Sequence, residues 1–247
     1  LNKESAKQIW DICNEKLQTK EFSIRNLLRM QKVEILCTTD DPADDLEYHK
    51  KLAASDFEMK VLPTFRPDQA IYVEKDTFAP YMKLLGERTG QKLCTVKDLR
   101  ASLATRLDYF AEQGSRVPDH SLEGAFFIPA TEAQVEAVYQ KGLRQGPISE
   151  AEGAMFHGYM LTELGREYAK RGLVMQLHIG ALRNNSTRMY RSLGTDSGFD
   201  SMNDFNYAPQ LSALLDAMDK TDELPKTVLY NLNAKDNDML AAMAGNY

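Results

Sequence analysis

Long apolar runs are missing from this chain. No stretch approaches the ~18 residues of a membrane-crossing helix, and the first twenty residues lack the basic-then-apolar order of a signal peptide. Cysteine is scarce as well. Cys13, Cys37 and Cys94 lie far apart without paired spacing, which excludes a disulfide framework, argues against a thiolate zinc site and fits a reducing, cytoplasmic setting. Neither G-x-G-x-x-G nor G-x-x-x-x-G-K-[ST] follows any strand-like stretch, so dinucleotide and nucleoside-triphosphate fingerprints are both absent. Positive charge is in deficit, with 30 Lys and Arg against 36 Asp and Glu for a net charge of −6. Without a basic cluster, a nucleic-acid groove is excluded. What remains is a globular composition, 43% hydrophobic and 27% charged over 247 residues, enough for one large α/β domain or two small ones.

Apolar runs of strand character begin near residues 33, 58, 116, 174 and 227, and the pattern predicts strands at 32–39, 58–65, 116–120, 173–179 and 226–232. Helical periodicity fills most of the chain between them: 5–19, 22–30, 42–54, 76–88, 97–113, 131–142, 149–171 and 211–218. Asp41 is expected to cap the helix that starts at Pro42. Strands alternating with helices describe a parallel sheet whose strands neighbour one another in chain order. Trp10 reads as core or an interface anchor, and Cys37 as buried in its strand. The chain opens at Leu1 without an initiating Met and stops at Tyr247 without a charged tail, as expected of a piece of a longer protein.

Polar residues gather where the strands end: Thr38 to Asp41, Arg66, Asp119 with His120, His178, and Asn231 with Asn233. A polar group over every strand end is what a (β/α)₈ barrel provides, although five strands cannot close one. His178 follows an apolar strand and precedes Gly180. It could bind a metal or meet a substrate proton, or serve as a structural histidine bonded to a neighbouring strand. Asp119 beside His120 could act as an acid–base group or orient a histidine. Arg66 and Arg183 each follow a strand end, and guanidinium groups there suit a carboxylate or phosphate; the bland alternative for Arg66 is a local pair with Asp68. Asn184, Asn185, Asn231 and Asn233 could bond substrate hydroxyls but are equally good turn formers. His49 and His157 read as surface or packing histidines.

The run Leu177-His178-Ile179-Gly180-Ala181-Leu182-Arg183-Asn184-Asn185 closely resembles the uronate (glucuronate) isomerase family. So, in order, do Cys37-Thr38-Thr39-Asp40-Asp41-Pro42, Val61 to Asp68, Arg106 to Phe110, Asp119-His120, Glu167 to Gly172, Gly198-Phe199-Asp200-Ser201 and Pro225-Lys226-Thr227. The resemblance spans essentially the whole chain. It implies an α/β fold, a (β/α)₈ TIM barrel of the metal-dependent hydrolase type, of which this chain carries about strands two to six. Residues 1–30 would be the end of a helical insertion with a lead-in helix, and 31–247 the partial barrel. The family's His-x-His pair and Asp-x-Arg segment lie outside this sequence.

The resemblance further implies an aldose–ketose isomerase. It would interconvert D-glucuronate with D-fructuronate, and D-galacturonate with D-tagaturonate, by enediol proton transfer and without a nicotinamide. Asp119, His120 and His178 would be the catalytic residues, with His178 also ligating a divalent metal, zinc by expectation. Arg66, Arg183 and Asn184 would hold the uronic acid. No nucleic-acid or membrane partner is implied, and a homo-oligomer is compatible with the sequence. Two other classes stay open at this point. A related metal-dependent hydrolase would use the same strand ends, though none offers a suitable lysine for a second metal. A noncatalytic sugar-acid binding domain would need only the arginines and asparagines.

Overall fold

Residues 2–247 are described by the computed structural model, and they divide into two units: 2–38 with 47–62, and 39–46 with 63–247. In the first, helix α1 (Lys3–Leu17) opens on a reciprocal cap. The Asn2 side chain accepts from Ser5 N while Ser5 Oγ accepts from Asn2 N. No residue of α1 is buried, and Trp10 is 68% exposed, so it is not a core residue. Helix α2 (Ile24–Met30) leads to strand β1 (Ile35–Cys37), which pairs in parallel with β2 (Lys60–Leu62) across helix α3 (Glu47–Ala53). Every residue of β1 is exposed, which corrects the burial expected for Cys37.

The second unit opens with a turn rather than the helix predicted from Pro42. Asp41 Oδ1 accepts from Ala43 N, Asp44 Oδ1 from Leu46 N, and Leu46 takes a left-handed φ of 54° that no helix interior tolerates. The side chain of Arg106 locks this turn through the Pro42 and Asp44 carbonyls, each at 2.6 Å. There follow α4 (Asp68–Ile71), α5 (Phe78–Thr89), α6 (Val96–Glu112), β3 (Asp119–Leu122), α7 (Glu132–Leu143) and α8 (Glu150–Lys170). Then come β4 (Met175–Ile179), β5 (Ala181–Leu182), α9 (Thr187–Leu193), β6 (Ser201–Met202), α10 (Ala208–Asp219), β7 (Thr227–Asn231) and α11 (Asn237–Ala244). Helices α6, α7 and α8 each begin with a capping box, at Thr95/Asp98, Thr131/Gln134 and Ser149/Glu152. None of the helices is long and apolar enough to cross a membrane among the described residues.

Strand neighbours pair in parallel as expected, but the barrel does not form. The sheets are open and separate: β1 with β2, the order β3-β4-β7, and the antiparallel pair β5 with β6. Closure needs every strand laddered on both sides. Among the described residues β7 pairs only with β4, and what adjoins β3 on its other side is a single backbone bond from Asp119 N to Phe65 O. Phe65 in turn makes one isolated bridge to Asp40. Strand β3 also starts at Asp119, later than predicted, because Pro118 has no N–H to give a ladder.

Alternation along β4 is strict. Met175, Leu177 and Ile179 are buried, while Gln176 and His178 are half-buried on the other face. The buried face joins Leu122 and the inner sides of the helices in one core that includes Tyr139, Phe156, Leu161 and Leu214. Helix α10 packs on α8, where a Cβ on Gly165 would meet Met218 Sδ at 2.2 Å and oblige that flexible side chain to move.

Candidate active site

The half-buried face of the β3-β4-β7 sheet carries the polar groups, and register decides which of them meet. Ser121 lies opposite His178, and His178 opposite Tyr230. Asp119, two residues before Ser121, shares that face. Its Oδ2 is 3.4 Å from His178 Nε2 and 3.5 Å from Arg66 Nη1. The Arg66 Nε also donates to Asp68 Oδ2 at 2.8 Å, the local pair expected from sequence. Arg66, Asp119 and His178 are therefore brought together on one carboxylate.

His120 is not with them. As the next residue along β3 it points to the opposite face, completely buried, with Nε2 3.0 Å from the Tyr168 hydroxyl of α8. Its Nδ1 has no hydrogen-bond partner among the described residues. Arg183, following β5, reaches Asp200 Oδ2 at 2.8 Å, with Glu123 and Asp196 carboxylates 3.6 Å away. Asn184 takes a left-handed φ of 54°, and its N–H donates to Asp200 Oδ1 at 2.8 Å. Arg183 and His178 line one cavity of about 430 Å³ with Asp200, Tyr230 and Asn231. Asn231 and Asn233 bond to each other in the turn after β7, and Asn185 bonds the Leu182 carbonyl, so these three act as turn formers.

Electrostatics separates the titratable groups. Burial, with Asp68 and Asp40 nearby, lifts the Asp119 carboxyl from its ordinary 3.8 to about 6, and Arg66 only partly opposes this. Burial first, then the Arg66 and Arg183 cations, lowers His178. Burial drives His120 down to about 3, helped by Arg66 and His178. At neutral pH the site face thus presents a carboxylate with a proton affinity near the working range, and a neutral imidazole. The Asp119 Oδ1 is buried with no hydrogen-bond partner among the described residues, so one oxygen of that carboxylate is left for something else.

The divalent ion expected at His178 has no shell. Among the described residues no group of three or more His, Cys, Asp and Glu side chains is placed to hold a metal. The physical reason is visible around Asp119, whose Oδ2 already faces the Arg66 guanidinium, a cation that takes up the charge a metal would neutralise. The described residues therefore do not provide the zinc site that the resemblance implies.

Sequence reading passed over Tyr230 and Gln176. The Tyr230 ring stacks on that of His178, centroids 4.6 Å apart and 8° from parallel. The Gln176 amide lies between the Tyr230 hydroxyl and the Val117 carbonyl. Period-two alternation counted back from His178 would have found Gln176. Tyr230 needed the inter-strand register, which sequence does not carry.

A family model described as glucuronate isomerase matches residues 1–247. The chain is 48% identical over 246 residues to the uronate isomerase of Salmonella paratyphi B, covering 99% of this chain and 52% of that protein. Among solved structures it is similar to uronate isomerase from Thermotoga maritima, with TM-score 0.91 and 32% identity over 100% of this chain and 54% of that one. Glucuronate isomerase from Caulobacter crescentus gives TM-score 0.89 and 27% identity, covering 100% of this chain and 51% of that one. The chain spans about half the length of the curated relatives it matches.

Proposed function

The chain belongs to the glucuronate isomerase family, and we propose that the face carrying Asp119 and His178 serves aldose–ketose isomerisation of a uronic acid in the protein that contains it. D-Glucuronate would pass to D-fructuronate and D-galacturonate to D-tagaturonate. One observation carries the reading: a buried carboxyl lifted to about 6 lies between a guanidinium and a neutral imidazole.

In the open-chain aldehyde, the C2 proton is acidified by the C1 carbonyl. Isomerisation removes it, passes through an enediol and returns a proton to C1. Asp119, poised near neutral pH, is suited to take and return a proton through its unpartnered Oδ1. The neutral His178 imidazole can donate a hydrogen bond to an oxygen that gains charge as the enediol forms. Arg183, which lines the cavity, grips the carboxylate end, and Arg66 holds Asp119 from its other side. The cavity of about 430 Å³ has room for a six-carbon sugar acid. Fully buried and turned toward α8, His120 acts by fixing β3 beside Asp119 rather than by touching substrate. Three unpaired, exposed cysteines support a reducing, cytoplasmic setting.

The test is proton exchange in D₂O, followed by proton NMR of the complete protein with each uronate. Formation of the ketose, with deuterium entering at the exchanging carbon and sharply reduced in Asp119→Asn, is the expected result. An inactive wild type, or an Asp119→Asn variant of normal rate, would overturn it.

A further inference from the structure

His178 is held by little. Its side chain is 44% exposed and its polar contact, Nε2 to Asp119 Oδ2, is 3.4 Å long. A neutral imidazole with one long polar contact does not by itself select a ring plane, because the terminal torsion of histidine is broad. Yet the cluster works only if Nε2 points at Asp119.

The neighbouring strand supplies what is missing. Register sets Tyr230 directly opposite His178, and the two rings lie flat against each other, 4.6 Å between centroids and 8° from parallel. The Tyr230 ring is itself fixed at its far end. Gln176 Nε2 donates to the Val117 carbonyl at 2.7 Å, which leaves Gln176 Oε1 as an acceptor, and the Tyr230 hydroxyl donates to it at 2.8 Å. Gln176 and His178 are alternate residues on the same face of β4. One tyrosine therefore bridges them, its ring on the imidazole and its hydroxyl on the amide. With its proton committed to Gln176, that hydroxyl is not free for proton transfer.

We propose that Tyr230 is a positioning residue: its ring, anchored through Gln176, sets the plane of the His178 imidazole and so aims Nε2 at the Asp119 carboxylate. This deepens the isomerase reading above and rests on it for its kinetic consequence. The stack itself stands apart from that reading.

Two measurements test it on the complete protein and its variants. In histidine-labelled protein, the carbon-bound ring protons of His178 should be shifted upfield by the tyrosine ring, partly so in Tyr230→Phe, which keeps the ring but loses the Gln176 anchor, and returned toward ordinary positions in Tyr230→Leu. With uronate as substrate, Tyr230→Leu should lose about tenfold or more in kcat, with KM altered less than about twofold, since misaiming a reacting group costs turnover more than binding. Tyr230→Phe should recover to within about threefold. An unshifted His178 in the wild type overturns the proposal without any variant, so failure of Tyr230→Leu to fold does not shelter it. A Tyr230→Leu enzyme of wild-type kcat would also overturn it. Should the wild type isomerise no uronate while the ring shift is present, the isomerase reading falls and the stack remains.

Discussion

The two faces of the β3-β4-β7 sheet are built from alternate residues of the same few strands, yet they have opposite physical characters. Toward the helices lie Met175, Leu177 and Ile179, with His120 bonded to Tyr168. On the other face are Asp119, Gln176, His178 and Tyr230, linked to one another by contacts of modest length. The helix side gains its stability from apolar area removed from water. The open side buries a carboxylate with incomplete partners, which costs stability and lifts its titration to about 6. Asp119 and His120 show how sharp the division is, because adjacent residues of one strand belong to different faces.

The largest break in this comparison comes from neighbours on β4. Leu177→Ala should destabilise the protein by about 2–5 kcal/mol, whereas His178→Ala should cost less than about 1 kcal/mol while removing turnover. Denaturant unfolding and uronate assay of both variants check this. A similar loss of stability in the two would mean the faces are not separable.

Next in size is Tyr168→Phe. It leaves the buried His120 Nε2 without its partner and should lower stability by about 1–3 kcal/mol, with turnover retained. Thermal unfolding beside the isomerase assay reads both, and a variant of unchanged stability would show that the hydroxyl contributes nothing to the helix side.

The smallest effect sharpens the comparison by sign. Asp119 binds its proton more tightly folded than unfolded, so its contribution is fully present below about 3.8 and is lost as pH rises toward about 6. His120 binds its proton less tightly folded. Its contribution is present above 6.5 and is lost as pH falls toward about 3. In the overlap the two slopes oppose and largely cancel. Asp119→Asn should therefore make stability rise more steeply with pH between about 4 and 6, as read by unfolding across that window. A flatter profile would contradict the assignment.

Much of the helix side was legible in the sequence because its signal is local. The apolar periodicity from Ser149 to Arg171 placed α8, and the run Leu173 to Ile179 placed β4. Arg66, Asp119 and His178 were legible as polar residues at strand ends, and they do meet. What failed needed information that a linear pattern lacks. The turn at 41–46 looked like a helix start because Asp-Pro suits both, and the side-chain bonds that choose the turn form only when it folds. Strands β5 and β6 are two residues each, too short for any period to register. The barrel was implied by the family resemblance and suited by the polar strand ends, but polar ends report which residues face one way, not whether the ladder closes.

The Asp200 carboxylate divides its two oxygens between the Arg183 guanidinium and the Asn184 backbone N–H. Orientation of a side chain and handedness of a backbone are thus set by one group. A loop built this way behaves as a single lever: whatever draws Asp200 off the guanidinium also loosens the left-handed residue beside it. Arginine orientation and loop conformation at this corner are then one equilibrium rather than two, and side-chain changes at 183 and 184 would not be independent of each other.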